Sequence, residues 1–486
     1  MKKLICLILA LTMVLALGAC GGKSGEQTQN GEQEKVTGLQ IGYAREKVTP
    51  ENGLSVPLAG YGATDSRMST QVQDDLYATC MYITDGTEQV LMFTVDVISV
   101  YEPYNTLCRE AISKATGVPA NRIFLSGTHT HSAPDLGYTG EKAADAMATY
   151  QPYFVNQTVK AAQAAMADKA KTTVLAANVE TKYLNFVRHY ELSDGSFFGD
   201  NFGDPNRGSI VGYAEEGDHE MVLVKFDREG DAKDILMMNF QAHPCFTGGS
   251  TKTIISADFI GMTRTLMERD TGMHFAYFTG AAGNQNVTTK LAADNAEAGK
   301  YAEMNNYTKE LIRYANEGLA NLTPLEGDSL KVNQVMYNGK INHQGEDKLE
   351  IATQIYEEYT ATGNREAANK KALENGFMSV YHCGSIMRHA SMPAEMTMEI
   401  NAIAIGGLGL INAPFEMFTP QSNFIKDGSP FEHTVIATCT GDMRSYLPSQ
   451  KAYDYGCYES TSAYYEPGTG ELVATEYVNM LGALKG

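Results

Sequence analysis

Apolar runs typical of buried β-strands alternate along the chain with segments of helical period. Residues 89–100 (QVLMFTVDVISV) and 121–129 (NRIFLSGTH) are strand-like, and residues 105–117 between them have helical spacing and end at a glycine. Residues 219–227 and 234–244 predict a strand pair around the turn DREGD. The remaining predicted segments are helices at 143–170, 291–322 and 348–376, and strands at 274–286, 396–414 and 433–442. This alternation predicts an α/β fold, a single large domain with mixed β-sheets flanked by helices.

Polar residues that can take part in chemistry stand where several of these apolar runs end. His129 and His131 follow one strand, His243 follows a second, and Glu416 follows a third. Because ligands of open α/β sheets bind beyond the strand ends, residues distant in sequence can meet at one rim of the sheet. The alternative is that these are ordinary polar turns, since strands end in such turns in most proteins.

The first 38 residues predict an export signal and a tether. Residues 1–19 combine a basic start with a short apolar run, which is typical of a signal peptide, and LGAC places Cys20 as a lipidated first residue of a bacterial lipoprotein. An ordinary signal peptide with a chance cysteine is the alternative. Residues 20–38 are polar and glycine-rich, as in a flexible tether. We therefore expect an extracytoplasmic protein, anchored in the cell membrane by lipid on Cys20, with a folded domain at residues 39–486.

Charge and cysteine content exclude several classes of protein. The net charge of −20 argues against binding to nucleic acid or to an anionic membrane surface. After the signal peptide and Cys20, six scattered cysteines remain and none forms a CxxC pair, which argues against a thiolate zinc site. Disulfides among them and buried free thiols both remain open.

Common catalytic motifs are absent from the chain. There is no GxSxG, HExxH, GxxxxGK[ST] or GxGxxG sequence, so the usual serine hydrolase, zincin, P-loop and dinucleotide-binding interpretations lose their main support. A non-catalytic binding protein therefore stands as an alternative to an enzyme.

The histidines in THTHSAP offer more than one kind of chemistry. His129 and His131 lie two residues apart, and in extended chain such residues point to the same side. They could bind a metal, take part in acid–base catalysis or cap a loop. A catalytic zinc site needs three or four N or O ligands with one position open, and His243 and Glu416 would supply the further ligands.

Several sequence elements together resemble a known enzyme family. THTHSAP, HPCFTGG followed by ISADFIG, FTGAAGNQN, APFEMF and GDMRSYLPSQKAYDYGCYES occur in the order and approximate spacing of the catalytic domain of neutral/alkaline non-lysosomal ceramidases. The resemblance begins near Ile41 and continues to the C-terminus, and THTHSAP is its most specific element. It implies a ceramidase-like fold and a zinc-dependent hydrolase that cleaves an amide (N-acyl) or ester bond with a metal-activated water.

The resemblance also assigns roles to individual residues. It implies that zinc (Zn²⁺) is held at the strand ends, and that His131 faces the zinc-bound water, while Arg188 falls near an arginine of the family's pocket. The four implied ligands are His129, His243, Glu416 and Tyr446. The expected substrate is a small-molecule or lipid-like N-acyl compound.

Four departures from the family pattern bear on the substrate. Asn286 is nearest to the position of the family's serine, so it can donate a hydrogen bond to a carbonyl but cannot act as a nucleophile. Asn284 stands where an aspartate is usual, and Phe415 where the family has glycine. We also expect no C-terminal immunoglobulin-like domain. A ceramidase-like hydrolase with a different substrate fits these features, and a metal-free binding or vestigial lipoprotein is the alternative.

Overall fold

The apolar runs of the sequence form the strands of two stacked sheets. The computed structural model describes residues 38–61, 67–199 and 207–485, so the predicted signal peptide and all of the tether except Gly38 lie outside the described residues. In chain order, the strands within the described ranges are β1 (Gln40–Lys47), β2 (Gln71–Val72), β3 (Tyr77–Thr84), β4 (Gln89–Val95), β5 (Ile123–Gly127), β6 (Ala170–Glu180), β7 (Phe186–Val187), β8 (His189–Leu192), β9 (Phe197–Gly199), β10 (Ile210–Tyr213), β11 (Glu220–Arg228), β12 (Ile235–Phe240), β13 (Ile254–Ile255), β14 (His274–Thr279), β15 (Gln285–Asn286), β16 (Thr323–Pro324), β17 (Leu330–Lys340), β18 (Glu395–Ile405), β19 (Leu408–Asn412), β20 (Glu416–Met417), β21 (His433–Ala437) and β22 (Tyr446–Leu447).

Helices lie between and around these strands. In chain order they are α1 (Tyr104–Thr116), α2 (Ala144–Ala167), α3 (Asp258–Thr271), α4 (Lys290–Ala293), α5 (Ala296–Gly299), α6 (Met304–Ala320), α7 (Leu349–Thr362), α8 (Arg365–Glu374), α9 (Val380–Ala390), α10 (Thr419–Gly428), α11 (Gln450–Tyr455), α12 (Tyr458–Ser462) and α13 (Thr469–Lys485). No helix in the described ranges is both long enough and apolar enough to span a bilayer.

The larger sheet is mixed, as the sequence predicts. Its order is β14-β12-β11-β6-β1-β3-β4-β5, and β16 pairs with β6 at its side. The pairs β12–β14 and β4–β5 are parallel, and β11–β12 is the antiparallel pair expected around DREGD. The second sheet has the order β17-β18-β19-β21, with β19 and β21 parallel. The prediction of an α/β fold with mixed sheets is confirmed.

Alternation of side chains lets each sheet bury both faces. In β3, Cys80 and Tyr82 pack in a core with α1 and α2, whereas Met81 and Ile83 point to the core between the two sheets. Strands of the second sheet alternate in the same way, with Ile403 facing the first sheet. The other face of the second sheet packs against α10 and α13. The resulting order of layers is helices, large sheet, small sheet, helices.

Two predicted helices are shorter than the sequence pattern suggests. The segment 291–322 is divided into α4, α5 and α6, because the side chain of Asn295 accepts hydrogen bonds from the backbone of Glu297 and Ala298 and starts a new helix. The segment 348–376 is divided at Gly363, whose left-handed conformation ends α7. Helices α7–α9 then form a small group with its own apolar core.

The described cysteines are all free thiols. Cys80, Cys108, Cys383, Cys439 and Cys457 are buried, and Cys245 is half-buried. Within the described residues the fold is therefore held together without disulfides. All of these residues belong to one compact unit, Thr37–Gly486.

Candidate metal centre

His129 is held in an unusual backbone conformation just after β5. Its φ of 68° is left-handed, a conformation uncommon for residues other than glycine. The N–H of His129 donates to the carbonyl of Val97, and ring atom Nδ1 lies 3.0 Å from the carbonyl oxygen of Ile98. Since a carbonyl only accepts, Nδ1 carries a proton, and Nε2 is the ring nitrogen on the side of Glu416. Cys439 and Glu416 outweigh burial and raise the pKa of His129 well above its usual value, so Nε2 is protonated as well when no metal ion is bound.

His243, which follows β12, is also oriented by a hydrogen bond from its ring to a backbone carbonyl. Its Nδ1 lies 2.7 Å from the carbonyl oxygen of Ala282, in the loop that follows β14. A β-bridge from His243 to Asn286 fixes the backbone on this side. Burial, helped by the positive charge of Arg188, lowers the pKa of His243 to about 4. This imidazole is therefore neutral near pH 7, with its Nε2 lone pair available.

Glu416 completes a triangle with the two imidazoles. The atom Oε2 of Glu416 lies 3.2 Å from Nε2 of His129 and 3.3 Å from Nε2 of His243, and the two Nε2 atoms are 3.2 Å apart. Glu416 comes from the short strand β20 after the second sheet, whereas both histidines follow strands of the first sheet. The two sheets thus contribute ligand-type atoms to one point.

The triangle fits a metal ion. Ligand atoms held about 2.0–2.1 Å from a tetrahedral centre lie about 3.3 Å apart, close to all three measured distances. Burial raises the pKa of the Glu416 carboxyl, but the charge of His129 and its hydrogen bond to the carboxylate outweigh burial and hold that pKa well below its usual range. A proton on Nε2 of His129 is thus held beside a buried carboxylate, and a divalent cation that binds here would displace that proton. Three donors of N and O type suit a borderline divalent metal.

His131 lies beside the triangle without a hydrogen-bonding partner. Its ring centroid is 5.1 Å from that of His129 and 5.4 Å from that of His243. Both ring nitrogens are buried, and neither is hydrogen-bonded to any residue in the described parts of the chain. Burial and the neighbouring imidazoles lower the pKa of His131 well below its usual value. It is a neutral base with free lone-pair capacity next to the candidate metal position.

Tyr446 and Arg188 form the next part of the site. The parallel pairing of β20 with β22 sets Tyr446 beside Glu416, and the Tyr446 hydroxyl is in hydrogen-bonding contact with Arg188. Burial and the charge of Glu416 raise the pKa of Tyr446, so its hydroxyl is protonated when no cation is near. The guanidinium of Arg188 also donates to the carbonyl of Gly283 at 2.7 Å and to Oδ1 of Asn286 at 3.3 Å.

Comparison with known proteins places the chain in a family. Residues 39–296 match the family model for neutral/alkaline non-lysosomal ceramidase, N-terminal. The chain belongs to the neutral/alkaline non-lysosomal ceramidase family. No curated protein matches the chain. Five of the predicted site residues lie in the matched segment, and Glu416 and Tyr446 lie beyond it.

The fold agrees with this family. The crystal structure of neutral ceramidase from Pseudomonas aeruginosa has a TM-score of 0.65 and 16% identity over 92% of this chain and 74% of that chain. A structure described as ceramidase complexed with C2 has the same score and identity, covering 92% of this chain and 75% of that chain. The family supports hydrolase activity, and the prediction of a ceramidase-like fold is confirmed.

A cavity of about 450 Å³ opens beside the triangle in this ceramidase fold. His131, Glu416 and Tyr446 form part of its wall, together with Tyr101 and Tyr458. No sequence pattern indicates a role for Tyr101, and Tyr458 belongs to the conspicuous element that ends in GCYES. Because the volume is within the usual range of small-molecule sites, a ligand can approach the candidate metal position.

A buried polar network that no sequence pattern predicts lies behind Arg188. Glu459 pairs with Arg188 at 2.6 Å and with Nε2 of His189 at 2.9 Å, and Nδ1 of His189 lies 2.8 Å from the Tyr455 hydroxyl. Burial raises the pKa of Glu459, but the charges of Arg188 and His189 outweigh it and lower that pKa to about 2. Cys457 lies near the same group. Arg188 had a sequence signal of its own, whereas Tyr455 and Glu459 stood out only as part of the element GDMRSYLPSQKAYDYGCYES, and His189 had no signal.

Proposed function

We propose that this protein is a zinc-dependent hydrolase of the neutral ceramidase type, which cleaves an N-acyl amide or an ester. The observation that carries the proposal is the triangle of His129, His243 and Glu416 atoms, with sides of 3.2–3.3 Å, at the wall of a cavity. Family membership supports the reaction class. A lipid-like N-acyl compound is the proposed substrate, because a ceramidase of similar fold has been solved in complex with C2.

The proposed ligands are His129, His243 and Glu416, with the Tyr446 oxygen as a fourth. When bound, zinc would lower the pKa of a water molecule and polarise a carbonyl group. The hydrogen bonds from each Nδ1 to a backbone carbonyl keep both imidazoles in the tautomer that a metal requires. Glu416 supplies the negative charge that a buried divalent cation needs.

His131 is the proposed general base. Burial and the neighbouring imidazoles keep the pKa of His131 well below its usual value, so the ring is neutral at pH 7 and has a lone pair that can accept a proton. Its ring nitrogens have no hydrogen-bonding partner in the described parts of the chain, and His131 lines the same cavity as Glu416. His131 would accept the proton of the attacking water and then donate it to the leaving group.

Arg188 and Asn286 are the proposed residues for the substrate carbonyl. Because Arg188 donates to Oδ1 of Asn286, the amide of Asn286 is oriented with its N–H groups free to donate to the substrate. Such a donor stabilises negative charge on the carbonyl oxygen as the water attacks. Asparagine has no nucleophile, so the proposed reaction has no covalent acyl-enzyme on this loop.

We also propose that the protein works outside the cytoplasm, held to the membrane through lipid on Cys20. The signal-like residues 1–19 and the polar tether support this location. Mass spectrometry of the protein from membranes would detect a diacylglyceryl group on Cys20, and an unmodified Cys20 would contradict the anchor.

Metal analysis combined with an activity assay tests the proposed function. We expect about one equivalent of zinc in the protein purified without chelator, hydrolysis of simple N-acyl compounds, and loss of both after His129→Ala. His343→Ala is the matched control, since His343 is partly exposed and belongs to a different part of the fold. Absence of metal even after zinc is added back, together with absence of hydrolysis, would contradict the proposal.

A further inference from the structure

The cavity beside the triangle is built mainly from polar and aromatic groups. Among the described residues of its wall, the aliphatic side chains larger than alanine are Ile98 and Met443. Its hydroxyl groups come from Tyr101, Tyr446, Tyr458, Tyr464, Ser445 and Ser462. A long alkyl chain gains about 25 cal/mol per Å² only where it leaves water for an apolar wall, and this wall offers little such surface. The cavity therefore suits a ligand that carries polar substituents.

One cationic side chain faces this cavity. Arg388 is the sole lysine or arginine among the described residues that form the wall. It is exposed, and no carboxylate in the described ranges lies within ion-pair distance of it. Its guanidinium carbon is 6.0 Å from the ring centroid of Tyr464, which also belongs to the wall. In a chain with 58 acidic and 38 basic residues, this arginine is left free to bind an anion.

The helix that carries Arg388 is fixed to the site. Helix α9 belongs to the group α7–α9, whose core includes Phe377 and Ile386. Tyr381 of α9 packs edge-on against Tyr458 of the cavity wall, with ring centroids 6.4 Å apart. Arg388 is therefore attached to a packed helix, and its position relative to Tyr458 is defined by packing.

We propose that Arg388 binds an anionic group of the substrate, a carboxylate above all, so that the preferred substrates are N-acyl compounds with a carboxylate, such as N-acyl amino acids. A guanidinium presents parallel N–H donors that match the two oxygens of a carboxylate. The cleavage of such a compound rests on the proposed function, whereas its binding does not. Arg388 is thus a specificity residue on a helix outside the segment that matches the family model.

Paired ligands that differ in one group test this proposal. N-hexanoylglycine and N-hexanoylethanolamine share the acyl chain and the amide, and differ in a carboxylate against a hydroxyl. We expect calorimetry on the zinc-loaded protein to give at least tenfold tighter binding of N-hexanoylglycine. Arg388→Gln should lower this ratio at least tenfold, and Arg388→Lys should retain part of it, because lysine keeps the charge but not the fork of donors. Arg365→Gln, an exposed arginine of α8 away from the cavity, should leave the ratio unchanged.

Binding and turnover separate the two proposals. Equal affinities in the unaltered protein, no binding of N-hexanoylglycine, or a preference that survives Arg388→Gln would each overturn the role of Arg388. The last result would mean that the carboxylate binds elsewhere, for example at the metal. Selective binding that depends on Arg388, without hydrolysis of either compound, would support the anion site while contradicting the proposed hydrolase.

Discussion

The backbone of Gly60 lies directly against the ring of His131. A β-carbon at position 60 would be 2.7 Å from Cγ of that ring and closer still to Nδ1, and Gly60 has a left-handed φ of 107°. Only glycine lets the chain pass here without moving the imidazole. The position of His131, the proposed general base, therefore depends on the absence of a side chain at Gly60.

Gly60→Ala should lower turnover without removing the metal. The added methyl group pushes His131 away from its position, and a displacement near 1 Å can cost about 100-fold in rate. The measurements are kcat for an N-acyl compound and zinc content. Gly53→Ala is the control, since Gly53 also has a left-handed φ, 70°, but nothing within 4 Å of the added carbon. Equal kcat for the two variants would argue against a catalytic role of His131.

Zinc should stabilise the folded protein through Glu416. An ion that binds only the folded state at about 100 times its Kd adds about 2.7 kcal/mol to the free energy of unfolding. Chelator should therefore lower Tm, and added zinc should restore it. Glu416→Gln removes the charge from the triangle and should abolish most of this response, whereas Glu350→Gln, on the exposed face of α7, should not. A zinc response that Glu416→Gln leaves intact would place the metal elsewhere.

Glu459→Gln should destabilise the protein strongly. The change leaves the buried Arg188 without its anionic partner, and breaking a buried ion pair from one side costs about 3–5 kcal/mol. Urea unfolding would measure the loss. The same change at Glu229, whose pair with Lys171 is well exposed, should alter the free energy of unfolding by less than about 1 kcal/mol. A similar small effect at both positions would mean that Arg188 finds another partner.

His389 should make the fold sensitive to acid. Burial, assisted by the charge of Arg388, lowers its pKa from 6.5 to about 4. Because the folded protein disfavours the protonated form, the stabilisation is complete above pH 6.5 and is lost as the pH falls toward 4, with a loss of about 2–3 kcal/mol at pH 4. His389→Gln removes this titration. Urea unfolding from pH 7 to pH 4 should therefore show a smaller loss of stability for the variant, and parallel curves for the two proteins would contradict the assignment.

The convergence of the site was predictable because of where the strands end. His129, His243 and Glu416 each follow an apolar run. Such runs form strands, and the residues after the strands can meet at one edge of the sheet. The network of Glu459, His189 and Tyr455 was not predictable in the same way. Its members belong to short irregular segments, where no period tells which side chain is buried or which partner it meets.

The helix boundaries also combine a part that the sequence predicts with a part that depends on contacts it does not reveal. Residues 291–322 do have helical spacing. This spacing does not reveal that the side chain of Asn295 accepts hydrogen bonds from backbone N–H groups, which ends one helix and starts the next. Which strands are neighbours is also a non-local property, since β1 lies between β3 and β6 through contacts that no local pattern encodes. The roles of the individual site residues remain predictions for the experiments above.

The triangle joins the ends of two sheets that are made at very different times. His129 and His243 leave the ribosome long before Glu416, so a growing chain has two imidazoles but no carboxylate to close the site. A complete set of ligands forms only when the second sheet has docked on the first. The ion would then act as a cross-link across a loop of much of the chain, and its capture would report that folding is finished.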